Sequence, residues 1–547
     1  MPESITVDVR GMTCDHCEQT VAAALEAAGL QVADVDWRRG RATGTPSSSF
    51  SEEAAAAALA EHGYTLAGVH TETGTPPATV TDDVDFDLVV VGSGSAAFAA
   101  AIKARDLGAS VALVEKGTVG GTCVNIGCVP SKALLRPAEL YWHAGHHPFP
   151  GLDIATKGAD FASLVAQKDE LVEALRRSKY EDLLDVYDID LIRGEGRFTG
   201  PDTLEVDGRR VRARRYLVAT GASPWIPPIP GLEETGYLTS TSALELTEVP
   251  DSLIVVGANA IGLELGQLLL HLGSKVTWVE ALPRIAPFEE PEISGVLAGY
   301  LRDQGASVLT DATVTAAGRD GDDVWLDVEI DGETLRVTAD KLLMATGRRA
   351  NTQGLGLDVA GVETDRRGHV VTDAGLRTSN PRIYAAGDVT THPQFVYVAA
   401  LGGNIAAENA LRDAGREIDF ETMPRVTFTS PQIASVGLTE NQAVEAGHAV
   451  MTSTLPLEAV PRALANRETT GVIKLVADEA TGRLLGAHIL AEGAGEVIQA
   501  AVMAIKYRAT TDEIADTYHP YLAMAEGLKL AAQGFRKDIE KLSCCAA

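Results

Sequence analysis

The stretch FDLVVVGSGSAAFAAAIKARDLGASVALVE, residues 86–115, decides the fold of this chain. A short apolar strand leads into a glycine-rich turn with Gly92, Gly94 and Ala97, and an alanine-rich helix and a second strand follow. Glycine lets the backbone turn tightly and approach a pyrophosphate at the helix N-terminus. Glu115 ends the second strand 23 positions after Gly92, where a carboxylate can accept a hydrogen bond from a ribose hydroxyl. The stretch therefore predicts a strand–helix–strand unit that binds a dinucleotide.

The same plan occurs again in SLIVVGANAIGLELGQLLLHLGSKVTWVE, residues 252–280. This turn keeps Gly257 and Gly262 but has Asn259 where the central glycine usually lies. Asparagine tolerates a left-handed backbone better than most residues do. Glu280 stands 23 positions after Gly257, as Glu115 does after its own first glycine. We expect a second dinucleotide-binding unit, and the alternative is a degenerate repeat that binds nothing.

The composition limits the possible classes of function. The chain has 547 residues, enough for three or four domains, and 45% of them are hydrophobic. The formal net charge of −30 repels phosphate backbones and argues against nucleic acid as a partner. The start MPESITVDVR does not have the pattern of a secretory signal, and no apolar stretch is long enough to span a membrane. We therefore expect a cytoplasmic protein, whose thiols stay reduced.

All six cysteines occur in close pairs. The pairs are Cys14 with Cys17, Cys123 with Cys128, and Cys544 with Cys545. In a reducing compartment, paired thiols indicate redox chemistry or soft-metal binding rather than structural disulfides. Three pairs in one chain further suggest a ligand that passes from one pair to the next.

The central cysteine pair lies in GGTCVNIGCVPSKALL, residues 120–135, where Pro130 indicates the first turn of a helix. A helix N-terminus stabilises a thiolate, which here would form on Cys128. A buried disulfide and half of a zinc site are the alternatives, although zinc would need two more nitrogen or sulfur ligands nearby.

The regions outside the two repeats have patterns of their own. Residues 1–70 have an order close to βαββαβ with a weak third strand, and residues 71–84 form a linker rich in threonine and proline. From residue 421 onward the pattern predicts strands, including a hairpin with its turn at EATGR, and then helices.

Residues 85–547 resemble the flavoprotein pyridine nucleotide–disulfide reductases, a family that includes lipoamide dehydrogenase and glutathione reductase. The resemblance rests on both glycine-rich turns, on GGTCVNIGCVPSK, and on ATGASP, ATGRR and IYAAGDV at residues 219–224, 345–349 and 383–389. It implies an α/β fold with two Rossmann-like dinucleotide-binding domains and an α+β C-terminal dimerisation domain. The implied boundaries are 85–230 and 351–420 for FAD binding, 231–350 for NAD(P) binding and 421–547 for dimerisation.

The same resemblance implies cofactors and residue roles. It implies FAD in the first unit, NADPH or NADH in the second, and a homodimer whose active sites are shared between subunits. Cys128 would contact the flavin, and Cys123 would face the substrate. Lys132 would lie near the flavin, Asp388 on its ribityl chain, and Gly221 among the cofactor-binding residues.

Residues 1–70 resemble heavy-metal-associated domains through GMTCDHC, residues 11–17, and HGYTLAGV, residues 62–69. This resemblance implies a ferredoxin-like βαββαβ metal-binding domain in which Cys14 and Cys17 bind a soft metal ion. A zinc knuckle is the alternative, although the chain has no second CxxC pair. The motif alone does not identify the metal, because copper carriers share it.

Family members that reduce disulfides carry a His-Glu pair in an HPTxSE motif, and the histidine transfers protons to the leaving thiol. This chain has TYHPYLAMAEGLKLAA at residues 517–532, so aligning Glu526 with that glutamate puts Tyr521 at the histidine position and His519 two residues away. An unperturbed tyrosine titrates near pH 10 and is a poor base at neutral pH. The pattern therefore favours a substrate that accepts electrons without needing protons.

The C-terminal tail, with Cys544 and Cys545 three and two residues from its end, favours the same kind of substrate. Hg(II) is soft and prefers two thiolates, and a dithiol on a tether can pass it to another pair. The whole chain is similar to the Hg(II)-reducing members of the family. The similarity implies that the tail of the other subunit delivers Hg(II) to Cys123 and Cys128 for reduction to Hg(0), and that Tyr180 is a second active-site tyrosine beside Tyr521.

Three other functions remain as alternatives. A thioredoxin-reductase-like enzyme can also end in a dithiol, and a lipoamide-dehydrogenase-like enzyme shares the flavin motifs, but both would need the histidine in place of Tyr521. A carrier or buffer for copper or another soft metal would have no use for the flavin motifs.

The choice of coenzyme depends on Glu280, which would bond a ribose 2′-hydroxyl and repel a 2′-phosphate. Arg284 lies nearby and would offset that repulsion, and the family usually prefers NADPH. The local chemistry favours NADH.

Overall fold

A computed structural model describes residues 5–10, 15–36, 41–71 and 84–538 and divides the chain into two units, residues 1–83 and 84–547. Cys14, Cys544, Cys545 and most of the predicted linker lie outside the described residues. No helix in the part of the chain that the structure describes is long and apolar enough to cross a membrane.

The N-terminal unit is a four-stranded antiparallel sheet with two helices. Its elements are β1 (Ile5–Arg10), α1 (Asp15–Ala27), β2 (Leu30–Asp36), β3 (Arg41–Pro46), α2 (Glu52–Glu61) and β4 (Thr65–Thr71). The strand order β2-β3-β1-β4 is that of a ferredoxin-like fold. The third strand, weak in the sequence, does form, because β3 pairs with both β1 and β2. Cys17 lies in α1 and is half-buried.

The second unit begins with a domain built on a parallel sheet, which we call the first parallel-sheet domain. Its elements are β5 (Phe86–Val91), α3 (Ser95–Asp106), β6 (Val111–Glu115), α4 (Gly121–Ile126), α5 (Cys128–His146), α6 (Phe161–Arg176), α7 (Asp182–Val186), β7 (Asp190–Arg193), β8 (Gly196–Gly200), β9 (Thr203–Val206), β10 (Arg209–Val211), β11 (Ala213–Val218) and β12 (Ala222–Pro224). A π-helical turn, Arg177–Glu181, joins α6 to α7.

The second parallel-sheet domain follows with the same plan. Its elements are β13 (Ser252–Val256), α8 (Ala260–His271), β14 (Lys275–Val279), α9 (Pro291–Asp303), β15 (Ser307–Leu309), β16 (Thr313–Asp320), β17 (Asp323–Ile330), β18 (Glu333–Ala339), β19 (Lys341–Met344) and β20 (Arg348–Ala350). The parallel order is β15-β14-β13-β19, and each of the two domains adds a three-stranded antiparallel meander, β8–β10 or β16–β18.

The chain then returns to the first parallel-sheet domain. This returning segment contributes β21 (Ile383–Ala385) and α10 (Val396–Arg412). Strand β21 pairs in parallel with β11 and completes the five-stranded order β21-β11-β5-β6-β7. The IYAAGDV motif therefore ends at the same sheet edge as the first glycine-rich turn, because the carboxyl ends of parallel strands lie together.

The C-terminal domain is an antiparallel sheet followed by helices, as the sequence predicts. Its elements are β22 (Arg425–Thr427), β23 (Gln432–Gly437), α11 (Glu440–Glu445), β24 (Val450–Pro456), α12 (Pro461–Asn466), β25 (Val472–Asp478), β26 (Leu484–Ala491), α13 (Ala494–Lys506), α14 (Thr511–Asp516) and α15 (Glu526–Gln533). The strand order is β22-β23-β26-β25-β24, and the predicted hairpin is β25–β26.

Helix α8 packs closely on its own sheet and also joins the second parallel-sheet domain to the C-terminal domain. A Cβ atom on Gly266 would lie 2.5 Å from the Trp278 ring, so only glycine permits this packing. On another side of the helix, Gln267 donates to the carbonyl of Ser430 at 2.7 Å and accepts from its N–H at 2.7 Å. Gln267 is buried, and these two bonds fix α8 to the segment before β23.

The two glycine-rich turns need left-handed backbone only at their first glycines. Gly92 has φ of 115° and Gly257 has φ of 98°, and a Cβ on either would lie within 2.4 Å of a carbonyl oxygen. Asn259 has φ of −104° and ψ of −171°, which is extended backbone. The expectation that asparagine serves there by tolerating a left-handed conformation is therefore wrong. The third glycine, Gly262, is needed for packing, since its Cβ would lie 1.9 Å from the carbonyl oxygen of Gly257.

Candidate active site

The central cysteine pair is brought onto the first glycine-rich turn by glycines. Cys123 lies in α4, and Cys128 is the first residue of α5, with Pro130 in its first turn as the sequence predicts. Gly121 has φ of 66°, and a Cβ there would lie 2.6 Å from the Cα of Gly94. The segment that carries the two cysteines can therefore contact the first glycine-rich turn only because residue 121 has no side chain. Both cysteines are free thiols.

The two thiols share one proton unequally. The Cys123 thiol donates a hydrogen bond to the Cys128 sulfur, and this bond lowers the pKa of Cys128 to about 7, assisted by Lys132 and opposed by burial. The same hydrogen bond and burial raise the pKa of Cys123. At neutral pH the reduced pair therefore holds a thiol on Cys123, while Cys128, with a pKa of about 7, is partly thiolate.

Alkylation of the reduced protein by iodoacetamide is expected to modify Cys128 with a pH midpoint near 7, because only the thiolate reacts and it forms as pH rises through the pKa. The Cys123→Ala variant should move the midpoint upward, since the hydrogen bond from Cys123 is the largest cause of the shift. Mass spectrometry of the modified peptide against pH measures both values. A wild-type midpoint near the ordinary value of about 8.5 would contradict the assignment.

Lys132 belongs to a network that joins all three domains of the second unit. Its Nζ lies 2.6 Å from Oε2 of Glu264 on α8 and 4.5 Å from the centroid of the Phe428 ring. Oε1 of Glu264 accepts the Phe428 N–H at 2.9 Å. Glu264 is buried, and the sequence patterns did not predict its role. Its signal in the sequence is that it is the single charged residue among Asp, Glu, Lys and Arg in α8, two residues after Gly262.

A cavity of about 520 Å³ opens beside the cysteine pair and fits a flavin dinucleotide. Its lining includes Gly94, Ser95, Cys123, Cys128, Lys132, Gly221, Glu264, Arg348, Gly387 and Asp388. Burial raises the pKa of the Asp388 carboxyl, which lies 3.9 Å from Nε of Arg348. The carboxylate and the guanidinium both line the cavity and are too far apart to share a hydrogen bond. The carboxylate can therefore accept from, and the guanidinium donate to, the hydroxyls of a polyhydroxyl chain. A Cβ on Gly221 would meet nothing within 4 Å, so the wall there is open.

Neither tyrosine lines this cavity, but Tyr180 contacts Ser95, which does. The Tyr180 hydroxyl bonds to Ser95, its ring meets Phe98 edge-on at 4.9 Å, and burial raises its pKa. The charges of both cysteines also affect this tyrosine. Tyr521 lies between α14 and α15, is 52% exposed, and is not part of the lining of the cavity in its own chain.

The two acids that end the second strands bind back onto their own turns. Glu115 accepts from the Ser93 hydroxyl and from the Gly117 N–H, both at 2.6 Å. Glu280 accepts from the Ala258 N–H at 2.7 Å and from the Leu282 N–H at 3.0 Å. Each carboxylate therefore stands at the turn where a ribose would lie, with its orientation fixed by backbone donors.

Arg284 is bound to carbonyls of the segment that follows it. Its guanidinium donates to the carbonyls of Pro287 at 3.0 Å and Glu289 at 3.3 Å. Both of these bonds use the same guanidinium nitrogen, Nη2, so the expectation that Arg284 offsets the charge of Glu280 stays a prediction.

Two family models match the chain, one for pyridine nucleotide-disulphide oxidoreductases at residues 86–403 and one for the dimerisation domain of these enzymes at residues 423–532. The chain belongs to the pyridine nucleotide-disulphide oxidoreductase family. Within that family it is similar to mercuric reductases. Its sequence is 50% identical to the mercuric reductase of Staphylococcus aureus over 543 residues, which cover 99% of each chain. It is 52% identical to that of Streptomyces lividans over 467 residues, 84% of this chain and 98% of the other.

Solved structures of related enzymes share the fold. The HOCl-induced flavoprotein disulfide reductase RclA from Escherichia coli, in complex with Cu(II), aligns with a TM-score of 0.74 at 32% identity. The alignment covers 82% of this chain and 99% of that one.

Proposed function

We propose that the chain reduces Hg(II) to Hg(0) with NAD(P)H and FAD, as a mercuric reductase. The observation that carries the proposal is the similarity to mercuric reductases over 99% of the chain, including the N-terminal region that begins before the flavoenzyme domains. The balanced reaction is Hg(II) + NAD(P)H → Hg(0) + NAD(P)⁺ + H⁺. Disulfide reduction is the second candidate, because the cysteine pair alone would serve it.

The cysteine pair can hold Hg(II) because it offers one thiolate and one thiol that loses its proton on binding. Cys128 binds first as the thiolate, and Cys123 closes the two-coordinate site as its proton leaves. FAD, when bound, supplies two electrons taken from NAD(P)H. Lys132 keeps a positive charge beside Cys128 and is itself held by Glu264. The neutral mercury atom then leaves, since thiolates no longer hold it.

The two tyrosines would face the bound metal ion from opposite subunits. Tyr180 bonds to Ser95 in the cavity lining of its own chain, and Tyr521 is exposed on the dimerisation domain. A phenol donates a hydrogen bond to a thiolate without acting as a base at neutral pH. We therefore propose a homodimer in which Tyr521 and the tail dithiol, Cys544 and Cys545, serve the partner's cysteine pair. We place the enzyme in the cytoplasm, where NAD(P)H is available and thiols stay reduced.

Oxidation of NAD(P)H in the presence of thiol-bound Hg(II), followed at 340 nm, tests the proposal. Hg(II) should drive rapid oxidation together with release of volatile mercury. Oxidised thioredoxin, glutathione disulfide and lipoamide should drive none, because Tyr521 replaces the proton-transferring histidine. Fast oxidation by any of these disulfides, without a response to Hg(II), would establish the second candidate instead.

We expect NADH to be used at least as well as NADPH. Glu280 is fixed where it would repel a 2′-phosphate, and the Arg284 guanidinium is bound to loop carbonyls. The measurement is kcat/KM for each coenzyme with Hg(II) in excess. A preference for NADPH of more than about a hundredfold, or ~2.7 kcal/mol, would show that the loop rearranges to bind the phosphate.

The N-terminal unit is proposed as a tethered donor of Hg(II), through Cys14 and Cys17. Deleting residues 1–70 should change turnover of excess thiol-bound mercury by less than about twofold, because a tethered site raises only the local concentration. The full-length Cys14→Ala, Cys17→Ala variant is the matched control. A large loss of turnover in the deletion but not in this control would mean that the unit supports the reductase structurally.

A further inference from the structure

A fully buried lysine binds three carboxylates at the junction of the second parallel-sheet domain and the C-terminal domain. The Nζ of Lys474, on β25, lies 3.0 Å from Glu290, 2.9 Å from Glu292 and 2.7 Å from Glu440. Lys474 and Glu290 are 2% and 3% exposed. Burying charges is costly even when they are paired, so stability alone does not explain this cluster. None of these four residues lines the flavin cavity.

The cluster fixes one end of a particular loop, residues 281–290, which we call the coenzyme loop. It runs from the end of β14 to α9, and Glu290 is its last residue. Glu290 is bound by Lys474 and also accepts the Glu440 N–H at 2.6 Å. The neighbouring Glu289 lies 3.5 Å from Arg425 and 3.9 Å from His488. The C-terminal domain therefore holds this end of the loop through several charged groups.

The middle of the coenzyme loop contacts the second glycine-rich turn. The N–H of Ala286 donates to the carbonyl of Ala258 at 2.7 Å, while the Ala258 N–H donates to Glu280. Ala258 is thus held on both sides by the segment that follows β14. Ala286 is 2% exposed and has φ of 42°, a left-handed conformation that costs energy for a residue other than glycine. Such a conformation persists only when its surroundings impose it.

The first repeat contains the same arrangement with a different anchor. The Gly120 N–H donates to the carbonyl of Ser93 at 3.0 Å, and the Ser93 hydroxyl binds Glu115. Gly120 is also left-handed, with φ of 102°, and the next element is α4, which carries Cys123. In the first repeat, the segment that contacts the glycine-rich turn is therefore continuous with α4, the helix that carries Cys123. In the second repeat no helix with a cysteine follows the turn, and the loop is held instead by the bond between Lys474 and Glu290.

We propose that Lys474 is a positioning residue for the nicotinamide coenzyme: by holding Glu290, it keeps the coenzyme loop against Ala258 and so shapes the turn that receives the coenzyme's pyrophosphate. The proposal rests on the proposed function only in placing the coenzyme at the second turn, and it does not involve mercury. It makes a residue of the C-terminal domain part of coenzyme recognition at a distance.

Two substitutions test the proposal, and each of them neutralises one of the carboxylates that bind Lys474. Glu290→Gln neutralises the carboxylate on the coenzyme loop, and Glu440→Gln neutralises one on α11, outside the loop. The probe is ADP-ribose, which has the adenosine and pyrophosphate of the coenzyme but no nicotinamide to be oxidised. Its affinity for the FAD-loaded enzyme is measured by calorimetry, and deuterium exchange of the peptide 281–290 by mass spectrometry.

Glu290→Gln should weaken ADP-ribose binding about five- to tenfold and speed exchange at Ala286, whereas Glu440→Gln should change both by less than about twofold. Equal effects of the two variants, or no effect of Glu290→Gln, would overturn the proposal, whatever their shared loss of thermal stability. If Glu290→Gln does not fold, Ser294→Ala, which removes the bond from the Ser294 hydroxyl to the Ala286 carbonyl, should weaken binding about two- to threefold. A wild-type enzyme that does not bind ADP-ribose would refute the inference, while the Hg(II) assay would still decide the proposed function.

Discussion

Replacing either Cys123 or Cys128 by alanine is expected to lower turnover of Hg(II) by at least about 10³-fold, or ~4 kcal/mol in the barrier. Each substitution removes one of the two sulfurs that would hold the ion, and Cys128→Ala also removes the thiolate with the pKa of about 7. A single thiol binds Hg(II) without the second ligand that completes the preferred two-coordinate site. Steady-state oxidation of NADH with thiol-bound Hg(II) measures the loss.

The same variants contain their own control. Each should retain its flavin and should still oxidise NADH with a quinone as an artificial acceptor, because such an acceptor needs no cysteine. Lys132, Glu264 and Asp388 remain in place in both variants, so the cavity should keep its contacts. Retention of more than about a tenth of the Hg(II) activity in either single variant would show that the pair is not the site of reduction.

Two inactive variants are expected to restore activity to each other in a mixed dimer. One protomer carries Cys123→Ala with Cys128→Ala and an intact tail, and the other carries Cys544→Ala with Cys545→Ala and an intact central pair. If the tail serves the partner, one of the two sites in the mixed dimer has both thiol pairs. Activity should then approach half that of the wild-type dimer, measured with Hg(II) bound to a bulky dithiol that cannot reach the central pair unaided.

Formation of the mixed dimer is verified separately, by two different affinity tags purified in sequence. A mixed dimer that is no more active than its parents would mean that each tail serves its own subunit. The assignment of Cys544 and Cys545 would then stand with the subunit labels exchanged. Small thiol complexes of Hg(II) should partly bypass the tail in either case, which separates delivery of the ion from its reduction.

Features that follow from local sequence spacing were predictable. The strand–turn–helix units, the helix that starts at Cys128 and the β25–β26 hairpin all depend on residues close together in the chain, and the structure has each of them. Glycine spacing and the offset of the acids Glu115 and Glu280 were sufficient signals, because the turn geometry itself demands them.

Features that depend on distant parts of the chain were not predictable. In the sequence Glu264 is an isolated acid, and its role becomes visible only when Lys132, 132 positions earlier, and Phe428, 164 positions later, are placed around it. Lys474 reads as an ordinary strand lysine until three glutamates surround it. The left-handed conformation predicted for Asn259 is wrong for a related reason, since the usual glycine at that position does not show which backbone conformation the surrounding contacts impose.

Helix α8 limits how this enzyme can be recombined with its relatives. Glu264 and Gln267 both point out of their own domain, where they bind Lys132, the Phe428 N–H and both backbone groups of Ser430. A second parallel-sheet domain grafted from another reductase without an acid and an amide at these two positions would leave those partners without these bonds. The domain therefore cannot be exchanged independently of the other two. The fraction of flavin lost from such a chimera would measure the effect of the missing bonds. Point substitutions at Glu280 and Arg284 would change coenzyme preference while leaving Glu264 and Gln267 in place.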